Sequence, residues 1–509
     1  MNANLYAQFA QRFPEDLSRC CIETLNETYY SYRDIERASA KIANLLASLN
    51  LSEGARVAVQ VEKSPEALLL YLATLRAGFV FLPLNTAYQR QEIQYFIEDA
   101  QPEVVVCAPQ HFGWVSQLAF QSGSKFVFTL DATTQGANRG SLLERAVPMP
   151  DHFDTVHREP DDLAAILYTS GTTGRSKGAM LSHGNLFSNA EVLHRAWAWQ
   201  ENDVLIHALP LFHVHGLFVA SHAVFMSGAR MIFLPKFDAA QITQQIPRAT
   251  VMMGVPTYYV RLLQDPDLNQ TLCSHMRLFI SGSAPLLAET FHAFAERTGH
   301  TILERYGMSE TTMLVSNPYS GPRKAGTVGM ALEGISVRVV DDHGQVCAPG
   351  EIGGIEVRGP NVFQGYWRIP EKTAEEFTKD GYFRTGDVGK FDADGYLSIV
   401  GRSKDLIITG GYNVYPKEIE AIIDDMDEVD ESAVIGVAHT DFGEAVCAIV
   451  VLKQGKSLSG AEIIQRLKSQ IANFKIPKQV HIVSALPRNT MGKVQKNLLR
   501  QQFSDAKLQ

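Results

Sequence analysis

The sequence predicts an α/β fold with an added β-rich portion, divided between a large N-terminal domain and a small C-terminal one. Three observations predict it. The chain has 509 residues, more than one hydrophobic core usually organises, so at least two domains are expected. Up to residue 281, short apolar runs alternate with helix-length segments, the rhythm of parallel sheets covered by helices on both faces. Beyond Gly326 that rhythm gives way to strands separated by tight turns, the pattern of a small β-rich subdomain.

Taken in order, residues 57–61, 79–84 and 104–107 read as short buried strands because each is a brief apolar run, and 64–77 reads as a helix between the first two. Residues 163–168 form a further strand ahead of a Gly/Ser/Thr-rich loop, and 179–181 a short apolar piece after it. Strands follow at 204–209, 231–234, 251–255 and 278–281. The most apolar region, 216–235, is interrupted by His222, Ser227 and Arg230, so it reads as buried helix then strand, and no run reaches the length of a membrane span. DDHGQ at 341–345, APGEIGG around Gly350 and DADG at 392–395 carry hairpin chemistry. From about Tyr415 helices and strands alternate again, in PKEIEAIID, SAVIGVAH, AVCAIVVLK and GAEIIQRLKSQIA. The boundary is placed after Arg402, giving domains of residues 1–402 and 403–509.

Composition narrows the function classes. A net charge of -9 argues against nucleic acid or an anionic membrane as the main partner, since both select basic surfaces. The six cysteines are scattered, apart from the adjacent Cys20 and Cys21, and show neither a zinc spacing nor a secreted disulfide framework. The N-terminus lacks a basic start followed by a long apolar core. A cytoplasmic protein without stable membrane association is expected.

The stretch LYTSGTTGRSKG at 167–178 is built to hold a polyphosphate. Its glycines allow close backbone approach to an anion, Ser170, Thr172 and Thr173 offer donors, and Arg175 and Lys177 offer charge. It is not the common NTPase phosphate loop, because Ser176 stands where that motif needs glycine directly before the lysine. YGMSET at 306–311 sets Glu310 among hydroxyl residues, a carboxylate suited to Mg²⁺, which takes few protein oxygens. FRTGD at 383–387 presents Asp387 after a Thr-Gly turn, where it could accept both hydroxyls of a ribose. PRNTMGKVQK at 487–496 offers Lys493 on a Gly-containing turn, in a region that otherwise reads as solvated helix.

These segments, with GRSKD at 401–405, occur in one chain in an order that resembles the acyl-adenylate-forming ligase superfamily, and the resemblance covers essentially the whole chain. Longer stretches, among them LPLNTAY, LIHALPLFHVHGLF, HMRLFISGSAPL and GGYNVYPKEIE, resemble its malonyl-CoA synthetase subfamily most. The resemblance implies an N-terminal domain of two helix-covered sheets plus the β-rich subdomain, and a small mobile α+β C-terminal domain. It implies two steps: malonate and ATP give an acyl-AMP and pyrophosphate, then CoA displaces AMP, with methylmalonate as a second acid. Thr169, Ser170, Gly171, Thr172, Thr173, Gly174 and Lys177 would line the triphosphate, and Tyr306, Gly307, Met308 and Ser309 would border the adenylate. Glu310, with Thr169, would hold Mg²⁺, and Asp387 and Arg402 would grip the ribose. Lys493 would touch the reacting carboxylate and α-phosphate, His213 would gate the acid pocket, and Lys404 would be the hinge of the mobile domain. Gly410, Gly411 and Tyr412 would border the CoA tunnel. Lys493 is further expected to be open to a protein acyltransferase. Two positions depart from the family pattern: Phe383 replaces a frequent Tyr and Ser309 a frequent Thr.

A dicarboxylate brings a second charge that needs a partner once buried. Arg277, four residues before Ser281, is expected to form a bidentate pair with that distal carboxylate, the alternative being an arginine at a strand end bonded to an acid. His207, His215, Ser281 and Ser283 complete the expected acid pocket. A short-chain, fatty or aryl acyl-CoA ligase, or an enzyme loading a carrier protein, remains the alternative.

Overall fold

All twelve residues of the helix Pro65–Arg76 are buried, which is the mark of a helix with apolar neighbours on every side. Ser64 caps its first turn by accepting from the Ala67 amide, and Pro65 occupies a position whose amide would be unpaired anyway. In the computed structural model this helix shares one core with strands of two large sheets, packing in a cluster that includes Val57, Phe81, Leu205 and Met231. The structure describes residues 2–131, 140–169, 176–409, 412–439, 443–468, 470–471, 473–489 and 492–503.

The first large sheet has nine strands, with a parallel centre formed by Leu303–Met308, Leu278–Ser281, Val251–Gly254, Val204–His207, Arg230–Phe233 and Cys20–Thr24. The second has seven, and its parallel centre is Leu163–Thr169, Val80–Pro83, Arg56–Gln60, Val104–Cys107 and Phe126–Thr129. Each strand read from the sequence in this part of the chain is present, shifted by at most two residues at an end. The apolar region after residue 214 forms a π-helix, His215–Ser221, then a helix, His222–Ser227, then the strand Arg230–Phe233. No helix among the described residues is long and apolar enough to cross a membrane.

The β-rich portion is a four-stranded antiparallel sheet of Ser336–Val340, Gly353–Arg358, Phe383–Phe391 and Leu397–Arg402. The DADG turn joins its last two strands, with Gly395 at a φ of 84° that favours glycine. A short 3-10 turn, Ser403–Asp405, leads into the small C-terminal domain. There a five-stranded sheet built on the long hairpin Val429–His439 and Gly443–Leu452 packs with helices Pro416–Asp424, Gly460–Leu467 and Lys496–Phe503. This domain touches the large one: Lys453 lies 3.1 Å from the Glu289 carboxylate, and Gly492 packs against Thr257.

Candidate active site

Parallel strands gather ligands beyond their carboxyl ends, and the expected site residues divide according to whether they stand there. The hairpin Leu163–Thr169 and Lys177–Ser182 flanks the Gly/Ser/Thr loop, and the Thr169 hydroxyl donates to the Lys177 carbonyl at 3.4 Å. Ser170, Gly171, Thr172, Thr173 and Gly174 lie outside the described residues. The Lys177 ammonium sits 4.1 Å from the centre of the Tyr366 ring and 3.7 Å from Glu376. The Tyr366 hydroxyl in turn donates to Glu310 at 3.0 Å. Glu310 is buried, and that burial raises its carboxyl above the usual range against the pull of Tyr366, Lys177 and Arg402.

YGMSET is the turn of a hairpin between Leu303–Met308 and Thr312–Ser316. Gly307 is required by contact: a Cβ there would lie 1.9 Å from the Thr312 carbonyl oxygen. The hairpin holds Met308, whose amide donates to Thr311, and the half-buried Ser309. It aims the Tyr306 hydroxyl at Asp387, to which it donates at 2.5 Å. Arg402, directly across the ladder from Asp387, pairs with the other carboxylate oxygen at 3.0 Å. The Phe383 ring is buried among Phe363 and Phe377, so a tyrosine hydroxyl is not missed there.

Lys493 projects from a tight turn in which the Lys493 amide donates to Asn489 and Gly492 has a φ of 73°. The turn expected around Lys493 is present, closed by an Arg488–Val494 bridge, and the helical part of the region starts at Lys496. Lys493 is exposed by surface area, because the cleft is open, yet its ammonium is surrounded by protein. That crowding, with the Arg402 and Arg305 charges, brings its pKa down to about 8 against the opposing Asp387 and Glu310. Lys404, in the 3-10 turn, is likewise lowered to about 8 by burial and Arg402. Its neighbour Asp405 pairs with Arg500 at 2.7 Å. Gly410 and Gly411 lie outside the described residues, and Tyr412 opens the strand Tyr412–Val414.

Arg277 does not reach the acid pocket. It precedes the strand Leu278–Ser281 and therefore stands at the amino end of the sheet, opposite Ser281. There its guanidinium makes a two-pronged pair with Asp203, Nε to Oδ1 at 2.7 Å and Nη2 to Oδ2 at 2.6 Å, and donates to the Trp197 carbonyl. Trp199 and Tyr319 flank it. The expectation that it anchors a distal carboxylate is overturned, because both faces of its fork are taken by Asp203.

His207 is not open to the acid, since both ring nitrogens are engaged by Lys63, Ser221 and the Gly216 carbonyl. His215, by contrast, meets Ser283 at 3.3 Å, and its Nε2 and the Ser281 hydroxyl are buried without a partner among the described residues. His213 is half-buried, and its Nδ1 accepts from the His215 amide. Burial, Lys493 and Arg305 lower its pKa to about 3, so it is neutral.

The residue that sequence reasoning missed is Arg305. It is 3% exposed, and its Nε and Nη2 donors have no partner among the described residues. Its guanidinium lies directly over Gly282, where an added Cβ would stand 2.3 Å from Cζ. Burial lowers its pKa to about 9, and its charge acts on His213, His215 and Lys493. The available signal was an arginine inside an apolar strand, directly before YGMSET. A buried guanidinium with open donors, beside Ser281 and His215, is suited to a carboxylate.

Two family models match the chain: AMP-binding enzyme over residues 6–367 and AMP-binding enzyme C-terminal domain over residues 418–493. The mitochondrial malonate–CoA ligase of Mus musculus is 36% identical over 467 residues, covering 85% of this chain and 79% of that protein. The indoleacetate–CoA ligase of Aromatoleum aromaticum is 34% identical over 480 residues, covering 92% of each. Among solved structures, ATP-bound MatB from Rhodopseudomonas palustris is 54% identical, with a TM-score of 0.96 over 99% of this chain and 100% of that one.

Proposed function

The chain belongs to the AMP-binding enzyme family, and we propose that this ATP-dependent, AMP-forming acid–thiol ligase joins malonate to CoA. The observation that carries the choice of acid is Arg305, a buried cation whose open donors face the same cleft as Lys493. Two cations facing one small site are suited to two anions, and a short dicarboxylate supplies both. The malonate–CoA ligases among its relatives support the same reading.

In this reading Arg305, Ser281, Ser283 and His215 hold the distal carboxylate, and His213 walls the pocket as a neutral ring. Asp387 and Arg402 hold the ribose, and Thr169, Lys177 and the loop between them hold the phosphates. A free carboxylate is a poor electrophile. Its oxygen attacks the α-phosphorus of ATP, the bond to the β-phosphate oxygen breaks, and pyrophosphate leaves with the electron pair. Lys493 offsets the negative charge that builds between carboxylate and phosphate. The CoA thiol then gives up its proton and attacks the malonyl carbonyl, and AMP departs.

The donor set fits Mg²⁺ arriving with ATP: one buried carboxylate, Glu310, and one hydroxyl, Thr169, leave most positions to phosphate and water. When bound, the ion would neutralise phosphate charge.

A cavity of about 460 Å³ between Leu209–Phe212 and the turn bearing Gly492 is a suitable approach for the thiol arm. We place the domain boundary after Arg402, with Lys404 as the hinge and Gly410, Gly411 and Tyr412 bordering that approach after the small domain rotates. Six unpaired cysteines fit a reducing compartment such as the cytoplasm. Once the small domain has rotated, Lys493 would be open to a protein acyltransferase, which mass spectrometry of the protein from its native cell would test.

The test is CoA-dependent AMP release across malonate, methylmalonate, succinate, acetate, octanoate and indoleacetate. Malonate is expected to give the highest kcat/KM. Preference for a monocarboxylate would overturn the choice of acid and leave the ligase chemistry in place.

A further inference from the structure

Lys63 is a buried lysine with no carboxylate to pair with among the described residues, and that burial lowers its pKa well below the usual range. The centre of the Phe233 ring lies 4.2 Å from its amine, and Lys63 helps line the 460 Å³ cavity together with Glu62, Lys236 and Arg261. Its polar contacts go to one residue. The amine is 2.9 Å from His207 Nδ1 and donates to the His207 carbonyl at 2.7 Å.

The Gly216 carbonyl bears on which nitrogen of His207 carries the proton. His207 Nε2 lies 3.0 Å from the Gly216 carbonyl oxygen, which can only accept, so Nε2 is the protonated nitrogen. Nδ1 is then the acceptor for the Lys63 amine. Ser221 closes the arrangement, 3.1 Å from Nε2 and donating to the same Gly216 oxygen at 3.0 Å.

Gly216 is a fixed point of the acid pocket. It heads the π-helix His215–Ser221, and a Cβ on it would lie 2.0 Å from the Pro210 carbonyl oxygen. Directly before it are His215, which meets Ser283, and His213, whose Nδ1 accepts from the His215 amide. A π-turn is less regular than an α-turn and commonly occurs at functional sites, so its head depends on such side-chain support.

We propose that Lys63 is a positioning residue for acid binding: it fixes His207 as the Nε2-protonated donor, and His207 fixes Gly216 and, with it, His213 and His215. The inference rests on the acid lying beside Arg305 and His215. It assigns Lys63 no contact with the reacting atoms.

The test measures adenylation without CoA, as acid-dependent ATP–pyrophosphate exchange, for Lys63→Met, Lys63→Arg, His207→Phe and Lys63→Met/His207→Phe. The wild type's preferred acid is used, so a wrong choice of malonate shows in the wild type alone and leaves this test intact. Lys63→Met is expected to raise KM for the acid about tenfold while KM for ATP stays within about twofold, since a small misplacement costs binding of the group it displaces. Lys63→Arg should recover most of the loss, and the double variant should be no worse than His207→Phe. Equal rises in both KM values, or multiplying losses in the double variant, would overturn the proposal. Side-chain ¹⁵N spectra of histidine-labelled wild-type protein, with the His207 signal identified by its loss in His207→Phe, give a readout independent of the Lys63 variants. Protonated Nε2 and bare Nδ1 support the chain of contacts, and the opposite tautomer breaks it.

Discussion

Two arginines of similar sequence setting have opposite fates, and the difference is whether the fork already has an anion. Arg277→Ala leaves Asp203, 4% exposed, without its partner, and loss of one member of such a pair costs about 3–5 kcal/mol of stability. We expect a lower unfolding midpoint and KM values for malonate and ATP that change little or together. Arg305→Ala removes a buried charge whose Nε and Nη2 have no hydrogen-bond partner among the described residues, so stability should hold or rise while KM for malonate climbs. A charged hydrogen bond is worth about 1.5–3 kcal/mol, which corresponds to roughly ten- to more than a hundredfold. Steady-state kinetics beside a denaturant melt separate the two, and a malonate-specific loss in Arg277→Ala would reverse the assignment. Lys493 gives a pH prediction. Its pKa is depressed to about 8, so raising the pH through that value removes its proton, and kcat/KM for adenylation should fall on the alkaline side. Lys493→Arg keeps its charge and should move that fall by more than a pH unit upward, at whatever activity remains; an unchanged profile would mean that another group titrates.

The strands were legible in the sequence because their signal is local: Val104–Cys107 and Val251–Gly254 are short apolar runs that nothing but a buried strand explains. The roles of side chains at strand ends were less legible, because spacing does not say which end faces a ligand. Arg277 and Ser281 bracket one parallel strand and so stand at opposite edges of the sheet; the rule that ligands gather at carboxyl ends would have separated them. Arg305 was hidden for a different reason, since its open donors have no partner among the described residues and no local pattern marks an unpaired donor. The Lys493 turn was legible because Gly492, at a positive φ, interrupts the helical composition around it, and the Arg488–Val494 bridge closes it. The link between strand end and arginine is testable at Gly282. An added Cβ would meet the Arg305 guanidinium, the far end of a flexible side chain, rather than backbone. Gly282→Ala should therefore displace Arg305 with little loss of stability and raise KM for malonate several-fold more than KM for ATP. Equal changes in both, or collapse of the fold, would show that Gly282 serves the strand and not the pocket.

Adenylation and thiol transfer ask different things of one cleft. The first needs Lys493 against the reacting carboxylate, and the second needs that space for the thiol, so one rigid arrangement cannot serve both. The arrangement described is suited to adenylation, because Lys493 shares its surroundings with Arg402, Asp387, Glu310 and Arg305. What holds it is modest. The Glu289–Lys453 pair is exposed on both sides, 59% and 34%, and such a pair contributes about 0–1 kcal/mol. A contact that weak permits rotation about the Ser403–Asp405 turn, whose Lys404 is the expected hinge. The pair also marks where the two domains can be tied. Cysteines at Glu289 and Lys453, joined by a reducible bis-thiol linker, should hold the present orientation. Adenylation, read as malonate-dependent ATP–pyrophosphate exchange, should then persist within about threefold, whereas malonyl-CoA formation should fall at least about a hundredfold, since only the second step needs the turn. Reduction of the linker should restore it, and wild-type protein treated with the same reagent controls for the native cysteines. If the tied enzyme still makes malonyl-CoA at the full rate, both steps occur in one domain arrangement, and Lys493 must leave the cleft by motion of its own turn alone.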